Sequence, residues 1–157
     1  MFVKLIGAAF IMLSGMFLIA KLRYETSERI SELETFLKIV DSVKTDIFFK
    51  KLPVSKCFAN IEIENKKAKD FIGKILNYLE IGKDIPTSVN KALENSDLYL
   101  KGEELIIVKS FFEKLGQTSY ENQLENAMYT IERLTRRLGE IKKDSVKNEK
   151  TQCSLVF

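Results

Sequence analysis

The chain of 157 residues contains no histidine. That removes the commonest general base near neutral pH and the commonest zinc ligand, and without it the usual activated-serine triad cannot be assembled. Cysteine is nearly absent as well: Cys57 and Cys153 lie far apart with no CxxC partner, and a reducing compartment leaves both as thiols. Proline and glycine are scarce, at two and seven residues, while leucine, isoleucine, lysine and glutamate are plentiful. Long stretches therefore run without a turn signal, and the expected fold class is all-α.

Charge of one sign is also lacking. The formal net charge is +3, and lysines far outnumber arginines. Nucleic-acid readers carry a strong basic excess with arginines for bidentate contacts, so nucleic acid is not an expected partner. No GxxxxGK[ST] occurs and no GxGxxG follows a strand, which excludes the two common phosphate cradles. No lysine or cysteine sits in a nucleophile motif. The chain is accordingly read as a non-enzyme with no catalytic residue, no metal, no cofactor and no small-molecule substrate. Glu25, Glu28, Glu32 and Glu34 are spread over the polar side of a lysine-containing helix, where a solvated face is expected.

What is present begins with an apolar block. Between Lys4 and Lys21 stand sixteen uncharged residues, LIGAAFIMLSGMFLIA, and Phe2 and Val3 bring the run close to the roughly 20 residues a bilayer core requires. A cleaved signal peptide is the competing reading, but no A-x-A site precedes the charged stretch, so residues 1–22 are expected to be a transmembrane anchor. Lys21, Arg23, Arg29 and Lys38 follow it, against Lys4 and the amino terminus before it, which puts the remaining domain on the cytoplasmic side.

From about Tyr24 to Lys50, Ile30, Leu33, Leu37, Val40, Val43 and Ile47 recur at steps of three and four. Pro53 ends this helix and opens a short one. A further helix is expected from about Lys66 to Glu80, stopped by Gly82. Ile85, Pro86, Ser88 and Ala92 then echo Leu52, Pro53, Ser55 and Ala59, suggesting a second proline-started short helix. After a linker from Asn95 to Gly102, EELIIVKSFFEKLG sets Leu105, Val108, Phe112 and Leu115 on one face, with Gly116 as a stop. Thr118 and Glu121 form an expected capping box for a long last helix.

That helix carries the firmest pattern. Leu124, Ala127, Ile131, Leu134, Leu138 and Ile141 keep a 3-4-3-4-3 spacing, so one packing seam stays aimed at a partner helix. The first helix has a matching stripe, which favours antiparallel packing within the chain, and a coiled coil between chains is the alternative. Beyond the seam, Arg133, Arg136, Arg137, Lys142, Lys143, Lys147 and Lys150 interleave with Glu132, Glu140, Asp144 and Glu149. Most of this is ordinary solvated surface. The functional alternative is that Arg133, Arg136, Arg137, Lys142 and Lys143 face anionic lipid headgroups.

The stretch FFEKLGQTSYENQLENAMYTIERL, the N-terminal KLIGAAFIMLSGMFLIAKL and the closing KNEK together resemble the stage III sporulation protein AB family. The most specific part is Leu115 and Gly116, the polar capping turn, and Gln123. The resemblance implies a cell-membrane scaffold of the channel complex between mother cell and forespore. It also implies a helical domain over 23–150, in the mother cell cytoplasm, similar to the F-protein domain of type II secretion systems. By the same resemblance, the partners are the cytoplasmic secretion-type ATPase and other proteins of that complex, with Gly116, Gln117, Thr118 and Gln123 near the docking turn. One departure stands out: the family continues into a second transmembrane helix, and here residues 151–157 read as a short tail in its place.

Overall fold

The computed structural model describes residues 2–50, 57–58 and 61–154. Among them are five helices and no strand: α1 (Phe2–Lys50), α2 (Lys66–Glu80), α3 (Ile85–Glu94), α4 (Glu103–Lys114) and α5 (Tyr120–Ser154). The all-helical reading holds. The proline-started segment at 52–56, the Ala59 it shares in the repeat and the last three residues of the tail lie outside the described residues.

α1 is 49 residues long, about 73 Å at 1.5 Å per residue. It contains no proline, and no helix break separates residues 2–22 from the following domain. Its inward face buries Leu33, Phe36, Ile39, Val40, Val43 and Ile47, with Ile30 and Leu37 half-buried at the edges. The stripe is wider than the spacing alone predicts because α1 is packed by both α2 and α5.

The shorter helices start and stop where local chemistry dictates. Asn65 caps α2 by accepting from the amides of Lys67 and Ala68, both at 3.0 Å. Gly82, at φ +81°, ends it in the left-handed conformation that lets the Ile81 and Lys83 amides return to Asn77 and Tyr78 carbonyls. Asp84 caps α3 through Thr87 N at 3.2 Å, and Pro86 occupies the first turn, where its missing amide costs nothing. α4 opens with Glu103 and Glu104, whose charge complements the helix N-terminus.

α5 runs antiparallel along α1. Tyr120 donates its hydroxyl to the Phe48 carbonyl at 2.9 Å, and further along Lys142 meets Glu34 at 2.6 Å. At equal rise, these two pairs put Ser154 level with residues 14 to 22 of α1. The heptad seam is used inside the chain: Ala127, Leu134 and Ile141 are buried, and Leu124, Ile131 and Leu138 are half-buried. Phe36, Phe71, Phe111 and Phe112 fill the centre with ring centroids 5.2 to 6.3 Å apart, mostly edge to face.

From Phe10 to Leu22 every side chain of α1 is exposed, and Tyr24 meets the bundle in a ring contact with Tyr99 at 6.3 Å. Phe10, Ile11, Met12, Leu13, Met16, Phe17 and Leu18 are all exposed, Ile11 and Phe17 to 76%. The expectation of a membrane-spanning helix over 1–22 is nevertheless not met by hydropathy: among the described residues no helix is long and apolar enough to cross a membrane. The physical reason is length. Sixteen uncharged residues separate Lys4 from Lys21, short of the roughly 20 that a bilayer core requires.

Candidate functional site

Two buried carboxylates organise the middle of the bundle. Glu104, fully buried in the first turn of α4, receives Arg29 of α1 through Nε at 2.8 Å and Nη2 at 2.5 Å. Arg137 of α5 donates from Nη2 at 2.9 Å, and the Lys101 amide adds a fourth contact at 3.2 Å. Burial alone pushes this carboxyl up, but the donors from Arg29, Lys101 and Arg137 outweigh it and hold Glu104 below the ordinary value. Next to it, Glu103 gathers Arg133 at 3.0 Å and Arg136 at 3.4 Å, and Arg133 foremost holds it below the usual carboxylate range. Three helices are thereby tied together.

Glu32 departs from the expected solvated face. It is fully buried, and its Oε2 accepts from the amides of Tyr99 at 2.8 Å and Leu100 at 3.1 Å, fixing the α3–α4 linker onto α1. Its Oε1 has no hydrogen-bond partner among the described residues, and burial pushes its carboxyl up. Glu25 and Glu28 are half-buried and Glu34 is exposed, paired with Lys142. Sequence reasoning missed Glu32, Glu104 and their arginines because the partners stand 33 to 75 residues away, outside any local pattern.

The basic residues beyond the seam are placed accordingly. Arg133, Arg136 and Arg137 turn toward Glu103, Glu104 and Glu140, and Lys142 toward Glu34. Lys143 is exposed. Among the described residues no group of histidine, cysteine, aspartate or glutamate is arranged to hold a metal ion. Cys57 is fully buried.

The turn between α4 and α5 brings together the residues singled out there. Gly116 adopts φ +76°, and its amide donates to Gln123 Oε1 at 3.2 Å, while Gln123 Nε2 donates to the Thr118 carbonyl at 2.9 Å. Gln117 N reaches the Lys114 carbonyl at 3.3 Å. One side-chain amide thus pins both ends of an exposed loop. The expected Thr118–Glu121 capping box is replaced by a simple cap one residue on: α5 starts at Tyr120, so Ser119 rather than Thr118 is the cap, its hydroxyl accepting from Asn122 N at 3.4 Å.

Comparison with known proteins then bears on what this geometry serves. A solved structure of stage III sporulation protein AB is similar at a TM-score of 0.61 and 16% identity, covering 76% of this chain and 97% of its own; at that identity it establishes a shared fold. No curated protein matches the chain. Residues 4–157 match the family described as stage III sporulation protein AB, across both the exposed apolar helix and the bundle. The chain belongs to the stage III sporulation protein AB family.

Proposed function

We propose that this chain is a non-enzymatic, membrane-anchored scaffold of the channel complex between mother cell and forespore, docking that complex's cytoplasmic secretion-type ATPase. One observation carries the reading. α1 is a single helix whose first part is uncharged and exposed and whose second part forms the core of the bundle. A row of large side chains such as Phe10, Ile11, Met12 and Phe17 is far more apolar surface than a monomer leaves in water. With the sixteen-residue uncharged run, it supports an anchor over residues 1–22 and a domain over 23–150 held directly on it in the mother cell cytoplasm. The helical core surrounds inward-facing, ligated carboxylates, which suits rigidity rather than chemistry. The docking turn is assigned to Gly116, Gln117, Thr118 and Gln123, exposed apart from the half-buried Gln123.

Lipid contact is proposed for Lys142 and Lys143, which lie toward the anchor end of α5, each nearby cation adding about 1 kcal/mol at an anionic surface. Arg133, Arg136 and Arg137 lie further from the anchor with their charge engaged by Glu103 and Glu104. The alternative, an oligomer built on the α5 seam, is disfavoured because Ala127, Leu134 and Ile141 are already covered by α1.

The test is a binding titration of the full chain in nanodiscs against the ATPase of the same complex, with light scattering on the chain alone. Saturable binding by a monomer is expected, weakened by Gln117→Ala with Gln123→Ala. No binding, or a stable oligomer that dissociates on Leu134→Asp, contradicts the reading.

A further inference from the structure

Next to the turn, α5 and one flank of α1 form an open groove of about 710 Å³. Leu124 and Ile131 make its half-buried floor, while Met128 and Tyr129 stand 60% and 57% exposed. From Tyr120 to Glu132 the strip runs about 18 Å, three turns of helix. Its rim is acidic. Glu121, Glu125 and Glu132 are all exposed, and none has an ion-pair partner among the described residues. Lys44, the one cation among the described lining residues, is held by Asp41 at 2.6 Å. The groove is also preformed: Arg133, fixed by Glu103, lies 5.6 Å from the centre of the Tyr129 ring.

We infer that this groove docks an amphipathic helix of a partner protein, one with an apolar face and flanking lysines or arginines. Its apolar face covers Leu124, Met128 and Ile131, in the helix-in-groove mode where anchors recur every three or four residues. Its cations meet Glu121, Glu125 and Glu132. Charge selects this occupant over the others. A second copy of the chain brings the same three carboxylates against themselves, and like charges set face to face cost several kcal/mol. A bilayer does not reach: Tyr120 lies level with Phe48 and α5 runs back toward the anchor, so the groove lies about 21 to 39 Å along α1 from Leu22, and its carboxylates repel anionic headgroups. The inference rests on the scaffold reading for its purpose, since it supplies a docking surface beside Gly116 and Gln123, but not for its geometry.

The experiment uses the full chain in phosphatidylcholine nanodiscs and a fluorescein-labelled fourteen-residue helix of leucine, alanine and lysine, with empty nanodiscs as reference. The expected result is saturable binding that weakens with salt. Affinity falls about tenfold or more in the Glu121→Gln, Glu125→Gln, Glu132→Gln triple variant and in Met128→Ser, and the same peptide with every lysine replaced by glutamate does not bind. These are exposed positions, and unchanged thermal melting checks that the variants fold. Equal binding by wild type and triple variant, equal binding of the glutamate peptide, or no binding to wild type overturns the inference. A concentration-dependent dimer abolished by Met128→Ser also overturns it, in favour of a second copy. The ATPase titration separates the two readings. Binding that is indifferent to the triple variant sinks the groove and leaves the scaffold; peptide binding without ATPase binding keeps the groove and sinks that partner assignment.

Discussion

Glu32 and Glu104 are both fully buried glutamates, yet their surroundings set opposite signs on their titration. Glu104 has three charged or amide donors on it, so its folded value lies below the ordinary 4.5. Its contribution to stability is therefore present above pH 4.5 and is lost as pH falls through the folded value. Glu104→Gln leaves the Arg29 and Arg137 guanidiniums facing a neutral amide, and a loss of about 3–5 kcal/mol is expected from denaturant unfolding at pH 7. Glu32, raised by burial, behaves the other way: its contribution is full below pH 4.5 and is lost as pH rises through the folded value. Glu32→Gln keeps an acceptor for Tyr99 and Leu100 but removes the buried charge, so unchanged or higher stability at pH 7, with a flatter pH profile above 4.5, is expected. Neither role was legible in the sequence. Both glutamates stand among other charged residues, and what singles them out is a partner brought near by the tertiary fold.

At the scale of the element, the sequence spoke clearly. The Lys66–Glu80 helix, the proline-started helix after it and the stops at Gly82 and Gly116 follow from apolar spacing and from backbone that only glycine adopts cheaply. The cap of α5 was misplaced by one residue because Thr118 and Ser119 are both competent caps, and local pattern does not choose between them. The 3-4 seam on α5 was legible as a seam. Its partner was legible only through the matching stripe on α1, and the breadth of that stripe, Phe36 and Ile39 included, depends on α2 packing beside α5. Leu134→Ala, in the buried centre of the seam, is expected to cost about 2–5 kcal/mol in denaturant unfolding. Gln123→Ala removes the bonds to Gly116 and Thr118, and about 1 kcal/mol is expected, with faster amide exchange confined to the 115–119 turn.

At the scale of the molecule, the polarity of the chain is the main feature. One end of α1 is bare and apolar; at the far end of the bundle, α5 presents a groove with an acidic rim beside a pinned turn. The buried ion pairs lie between them and join α1, α4 and α5. The proposed scaffold role requires such a division, with one surface proposed for the membrane, one for a partner and a stiff connection between. The sixteen-residue uncharged run marked the bare apolar end of α1 in the sequence, whereas the groove arises from residues of two helices distant in the chain. The most direct measurement is carbonate extraction followed by proteolysis of the full chain inserted into liposomes. The account predicts that the chain stays with the membrane at high pH, and that protease releases the bundle and leaves a protected fragment ending near Leu22. Release of the intact chain by carbonate contradicts it.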